Sequence, residues 1–269
     1  MTTPMAESGH PKANDTLKRR PGPAGSVINS FIKEDLHSAL VDKLGLAIVT
    51  KEYPPQSLIH MADLEERFGV SRSVVREVIR VLSSMGLVTS KRRLGTVVQP
   101  ERDWNLFDAA VIRWRLASDQ RLEQLRSLSD LRVAIEPHAA RLAAQQAPSS
   151  SASELVGLSA KMWAAAQVGH IEEFLELDIK FHSLVLEASG NPMFAQLHSL
   201  VTEILVGRTE HGLMPLTPDH EALQFHVDVA TAIQHGDADG AQAAMTKIVY
   251  QSIEESSTIW DRAHPGNQG

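Results

Sequence analysis

Residues 64–85 read L-E-E-R-F-G-V-S-R-S-V-V-R-E-V-I-R-V-L-S-S-M, and their spacing decides the N-terminal fold. Val74, Val75, Val78, Leu82 and Met85 recur on one helical face, so the pattern predicts helices over roughly 60–68 and 71–85. Only Gly69-Val70 separates them, which is the tight turn of a helix-turn-helix. Ser71 stands at the N-cap of the second helix, where its hydroxyl can accept from the free N–H groups of the first turn. Arg72, Arg76 and Arg80 form an i, i+4, i+8 row away from the apolar stripe. The N-terminal part of such a helix enters the major groove. An arginine there can grip guanine O6 and N7 with two bonds, worth roughly 1–3 kcal/mol of discrimination. Three arginines on a helix can also serve solubility alone, and the next stretch of chain decides between the two.

After Gly86 the period changes. Leu87-Val88-Thr89 and Gly95-Thr96-Val97-Val98 are β-prone runs on either side of Lys91-Arg92-Arg93, which predicts a hairpin with a basic tip. Cations at a hairpin tip have no evident packing purpose, yet they suit a phosphate backbone or a minor groove. Upstream, Leu36, Leu40, Leu44 and Ala47 predict a helix from about Ser30 to Lys51, stopped by Tyr53-Pro54-Pro55. Helix, tight turn, basic helix and basic hairpin follow in the order that a winged helix-turn-helix requires. The expected DNA contacts are Ser71, Arg72, Ser73, Arg76 and Arg80 on the helix, with Lys91, Arg92, Arg93, Gly95 and Thr96 on the hairpin. The expected partner is double-stranded operator DNA.

The whole-chain charge of −7 conceals an asymmetry. Residues 1–100 hold 14 Lys/Arg against 10 Asp/Glu, a balance of +4, while the remainder holds 12 against 23, a balance of −11. Only the front part is therefore suited to phosphates. With no cysteine, disulfides, thiolate metal sites and a cysteine nucleophile are all excluded. No run approaches the roughly 18 apolar residues of a membrane span, and the polar start of the chain lacks a secretory h-region. A cytoplasmic location is expected. Residues 1–28 read as a flexible tail in which Lys18-Arg19-Arg20 is either solvated or a basic arm touching DNA.

Pro100 closes the winged unit, so the expected domains are 29–100 for DNA binding and 101–263 for a second, all-helical body. Residues 264–269 are expected to fray. Helices are predicted near 105–117, 120–146, 151–168, 170–189, 191–211, 217–236 and 238–262. The fold class is thus mainly α: a winged helix-turn-helix with a small β-hairpin wing, followed by an all-helical bundle.

Phe68-Gly69-Val70-Ser71-Arg72, Val75-Arg76-Glu77-Val78, Gly86-Leu87-Val88 and Gly95-Thr96-Val97-Val98 make residues 30–99 resemble the GntR family of bacterial regulators. The chain departs from the family's L-P-S-E-R-x-L segment, reading Leu58-Ile59-His60-Met61-Ala62-Asp63-Leu64. His60 replaces the cap serine, and Ala62 replaces an arginine that commonly touches DNA. Leu131-Arg132-Val133-Ala134-Ile135-Glu136-Pro137, Asp178-Ile179-Lys180-Phe181-His182, Gly190-Asn191-Pro192 and His226 resemble the fatty-acid-regulator-like (FCD) branch over most of 105–260. That resemblance implies six or seven helices around an effector cavity, often with a metal held by one Asp and three His. A homodimer on a pseudo-palindromic operator is expected, each protomer offering one recognition helix, and the resemblance implies repression more often than activation.

Asp178 and His182 lie four apart and flank the stripe of Phe174, Leu177, Phe181, Leu184 and Val185, which is workable metal-ligand spacing. His226 instead shares a face with Ala222, Leu223, Val229, Ala230 and Ile233, where a hydrogen-bonded core histidine is the ordinary alternative. The fourth family histidine falls at Ile248. Asp178, His182 and His226 can therefore hold a divalent ion, zinc or similar, completed by water or effector oxygen. They can equally bind a hydroxy acid directly, which the loss at 248 favours. Trp104-Asn105-Leu106-Phe107-Asp108 followed by Trp114 is similar to the same segment in sugar-acid-responsive members, the galactonate-responsive ones included. A small carboxylate such as an aldonate is the expected effector. Arg132 is the first candidate for its carboxylate, unless Glu136 at i+4 takes it in an internal salt bridge; Arg208 and Asn191 are further candidates. The competing reading is a metal-dependent hydrolase on Asp178, His182 and His226, but no H-E-x-x-H, G-x-S-x-G or phosphate loop accompanies them. No enzyme activity is expected.

Overall fold

A computed structural model describes residues 37–215 and 218–263. The predicted N-terminal tail with Lys18-Arg19-Arg20, the start of the first helix, the Leu216-Thr217 separator and the C-terminal end lie outside the described residues.

The N-terminal unit opens with α1 (37–49), whose Leu40, Leu44 and Ile48 enter the core. Strand β1 (Leu58–Ile59) leads into α2 (Met61–Phe68) and α3 (Arg72–Ser84). Gly69 ends α2 in the left-handed region, at φ 61°, and its N–H bonds to the Glu65 carbonyl. Glycine, with no Cβ, adopts that conformation at little cost, which is why the turn between the two helices can be so short. Val75, Val78, Ile79 and Leu82 of α3 are buried against Leu64 and α1. The wing follows as β2 (Val88–Lys91) and β3 (Gly95–Val98), in a three-stranded antiparallel sheet of order β1-β3-β2. β1 was not foreseen; its two residues are too few to show an alternation. They pair with Val97 and Thr96 and put a partner on the second edge of β3.

A short 3₁₀ turn (Glu101–Asp103) leads to α4 (Ala109–Leu116). This helix starts later than its expected position because Asp108 caps it, its Oδ1 accepting from the Ala110 N–H at 2.9 Å. The core of the winged unit continues past Pro100: Trp104, Val111 and Trp114 are buried within it. Ile112 and Leu116 of the same helix belong instead to the core of the bundle. α4 is thus shared by both units, one face in each.

The bundle consists of α5 (Arg121–Gln146), α6 (Ser149–Val168), α7 (Ile171–Ala188), α8 (Pro192–Ala195), α9 (His198–Glu210), α10 (His220–His235) and α11 (Ala238–Ala263). These seven helices agree with the expected six or seven. The helix expected over 191–211 is two helices, since Gln196-Leu197 interrupt it. α5 runs against α11, α10 and α7, and α7 also packs on α6 and α9. No helix among the described residues is long and apolar enough to cross a membrane.

Candidate effector cavity and DNA-contact surface

On α3 the predicted arginine row is solvent-facing. Arg72, Arg76 and Arg80 are exposed, on the side opposite Val75, Val78 and Leu82. Arg80 is engaged by Glu77 at 2.5 Å on its own helix. Among the described residues no ion pair engages Arg72 or Arg76. Ser71 occupies the N-cap position as expected, but its hydroxyl pairs with that of Ser73 at 2.9 Å rather than with the helix N–H groups. Lys91, Arg92 and Arg93 are exposed around the wing turn, where Arg93 takes φ 67° and the Leu94 N–H closes on the Lys91 carbonyl. Gly95 is also exposed, whereas Thr96 is buried in the central strand, only 4% accessible. Thr96 forms part of the floor of a groove whose sides are Arg72, Arg76 and Arg80 of α3 and Thr89 and Ser90 of the wing. Of the expected contacts, Arg72, Arg76, Arg80 and Thr96 thus share one groove, with Thr96 recessed into it by its pairing to both β1 and β2.

In the bundle the structure brings Arg132, Asp178, His182, Arg208 and His226 to the lining of one cavity. Phe174, Leu205 and Met214 supply apolar wall, and α11 adds Ile248, Gln251, Ser252 and Glu255. Asn191 does not join them: its Oδ1 accepts from the Met193 N–H at 2.9 Å and caps α8, so its polar group serves the backbone. Asp178 and His182 were expected beside the apolar stripe of α7; in fact both are buried, because α5, α9 and neighbouring helices close over that flank.

The buried groups form a connected network. Arg132 donates Nε and Nη2 to the two oxygens of Glu136, at 2.5 and 3.2 Å, the internal salt bridge that competed with a ligand role. Glu136 lies 2.7 Å from His182 Nδ1, and His182 Nε2 lies 3.3 Å from Asp178 Oδ1. From α10, His226 places Nε2 3.2 Å from the same Asp178 oxygen. Its Nδ1 is 2.7 Å from the Ala222 carbonyl, which can only accept, so Nδ1 carries the proton. Burial opposes charge on Arg132, Glu136, Asp178 and His182, yet their pairings outweigh it. Glu136 is held at about 2 by Arg132 and His182, and Asp178 is held below its usual range by the two histidines. His182 is raised to about 9 by Glu136 and Asp178. Arg208 is different: burial and the nearby Arg132 lower it to about 10 despite Glu255.

The donor set suits a divalent cation. Asp178, His182 and His226 each offer one ligand atom, all within 4.8 Å of one another. Glu136 and the Ala222 carbonyl take the Nδ1 side of each ring, leaving both Nε2 atoms turned toward Asp178, as orienting partners do in histidine metal sites. Ile248 lines the cavity and offers no donor, so a bound ion would keep positions for other oxygens. Gln251, Ser252 and Glu255 were missed in the sequence. They follow Ile248 by three, four and seven residues, and that helical spacing is the signal that would have found them.

A winged helix-turn-helix with free arginines on its second helix, joined to a helical bundle around a polar cavity, defines a class of DNA-binding regulators with ligand-binding domains. Residues 36–98 match the family of bacterial regulatory proteins, gntR family, and residues 127–251 match the FCD domain. The chain belongs to the GntR family of transcription regulators, in its FCD-domain branch. It is 36% identical over 214 residues to the galactonate operon transcriptional repressor of Escherichia coli (strain K12), covering 78% of this chain and 92% of that one. The uncharacterized HTH-type transcriptional regulator YieP of the same organism is 29% identical over 222 residues, covering 81% and 94%. Among solved structures, E. coli McbR/YncC aligns with a TM-score of 0.49 at 18% identity, over 84% of this chain and 98% of that one.

Proposed function

We propose that this regulator is a homodimeric repressor that leaves a pseudo-palindromic operator when a small sugar acid, an aldonate or close relative, enters the FCD cavity. The observation that carries the reading is the gathering of two buried guanidinium groups and the Asp178–His182–His226 trio around one cavity. The similarity to a galactonate operon repressor supports the acid class and the sign of regulation. The two matching families are regulators and lend nothing to the hydrolase alternative.

Arg208, rather than Arg132, takes the effector carboxylate in this reading. Arg132 already gives a two-bond edge to Glu136. Arg208 bonds Ser256 through Nε at 2.8 Å and Glu255 through Nη2 at 3.2 Å, leaving Nη1 with no partner among the described residues. Its lowered pKa reports a cation that its surroundings compensate poorly. Asp178, His182 and His226 would hold a divalent ion such as zinc, which when bound supplies a Lewis-acidic contact for an effector oxygen. Coupling to DNA requires only that the acid prefer one arrangement of the two units over the other.

A gel-shift titration on the DNA upstream of the gene, at fixed salt and against a panel of sugar acids, tests this. One acid should release the complex. A shift indifferent to every acid sinks the effector assignment, and no shift from folded protein sinks the operator reading as well.

A further inference from the structure

Gln251 lines the cavity from α11, close to Ser252 and Glu255. Its Oε1 is shut off from solvent, and no donor among the described residues reaches it. Buried carbonyl oxygens in folded proteins nearly always have a partner, because a bare one forfeits the bond that water would have given. Gln251 and Glu255 also line the open groove between α10 and α11, so they stand where the cavity meets the exterior. The α11 wall therefore sets the Glu255 carboxylate against Arg208 and the unpartnered Gln251 amide in the lining of the same cavity. A plain carboxylate answers the guanidinium and leaves the amide oxygen bare. A ligand that carries hydroxyls beyond its carboxylate answers both.

We infer that Gln251 is a specificity-determining residue that accepts a hydrogen bond from an effector hydroxyl, selecting polyhydroxylated acids over plain carboxylates of the same chain length. The inference rests on the sugar-acid reading above and deepens it. A site built to bond a hydroxyl rejects the analogue without one, since that analogue strands the buried acceptor.

Isothermal titration of the full chain with galactonate, gluconate and hexanoate provides the test, on wild type, Gln251→Met and Gln251→Glu. Methionine keeps the length of the side chain and replaces the amide oxygen with a weakly accepting thioether; glutamate keeps a strong acceptor. Gln251→Met is expected to bind the preferred hexonate about tenfold more weakly, the scale of one lost hydrogen bond, with hexanoate unchanged. Gln251→Glu should keep the preference for hexonate over hexanoate. A Gln251→Met protein that keeps the wild-type preference, or loses both acids alike, overturns the inference while the effector reading stands. Wild type that shifts its operator but binds neither hexonate overturns the effector reading, and this inference with it.

Discussion

Trp114 of α4 donates its indole N–H to Asp42 of α1 at 3.0 Å, and the same ring presses on Gly45, where a Cβ would collide with it. The contact ties the winged unit to the helix that also carries Ile112 and Leu116 into the bundle core. Arg113 of α4 further approaches Glu203 of α9 at 3.7 Å, and α9 bears Arg208 of the cavity. A continuous packed route therefore joins the cavity to the recognition unit. Gly45→Ala forces the indole out of place, an overpacking change that should cost about 1–3 kcal/mol. Thermal unfolding checks it; an unchanged midpoint would mean that the ring yields freely and that α4 is not a rigid tie.

On the DNA face, the two basic elements should fail differently. Arg72 and Arg76 are exposed and lack ion pairs among the described residues, so they remain free for base edges. Arg72→Ala or Arg76→Ala should weaken operator binding by roughly 1–3 kcal/mol and narrow the gap to unrelated DNA. Arg92→Ala on the wing should weaken both DNAs alike and lower the salt dependence by about one counterion. Arg80→Ala should matter less, since Glu77 already holds that guanidinium. Titrations at several salt concentrations separate the cases, and equal salt slopes for Arg72→Ala and Arg92→Ala would contradict the division.

How much of this was legible depended on whether the information was local. The recognition helix declared itself because Val75, Val78 and Leu82 must face one core while Arg72 and Arg76 must face away. The wing was legible from its change of period. Strand β1 was not, because its two residues acquire meaning only beside β3. Asp178 and His182 showed their spacing but not their burial, which depends on helices distant in sequence. The Arg132–Glu136 pair was visible as an i, i+4 alternative, yet only its surroundings decide between salt bridge and ligand contact. The Trp114–Gly45 contact left no trace in periodicity, because one residue's missing side chain makes room for a ring far along the chain.

Glu136 is the keystone of the buried network, touching both Arg132 and His182 while itself 1% exposed. Glu136→Gln keeps the shape and removes the charge, leaving a buried guanidinium without its counter-ion. Breaking a buried pair from one side costs about 3–5 kcal/mol. Denaturant unfolding should show that loss, whereas Glu173→Gln, at an exposed pair with His170, should change stability by less than about 1 kcal/mol. Similar small effects from both would show that the network is not closed to solvent.

His182 is pulled down by burial but raised more strongly by Glu136 and Asp178, reaching about 9 against an ordinary 6.5. Its folded-state pKa lies above its unfolded one, so the stabilisation it contributes is complete below about pH 6.5 and disappears as the pH rises through 9. In EDTA-treated protein the unfolding free energy should therefore decline across that window, by on the order of 3 kcal/mol. An ion on Asp178, His182 and His226 needs the His182 Nε2 proton gone, so its binding strengthens over the same window. With zinc present the decline should flatten or reverse. Unfolding curves from pH 6 to 9.5, with zinc and with EDTA, decide the matter. Superimposable curves would assign the trio to direct hydrogen bonding of the effector, and a zinc-dependent separation that widens with pH would assign it to a metal.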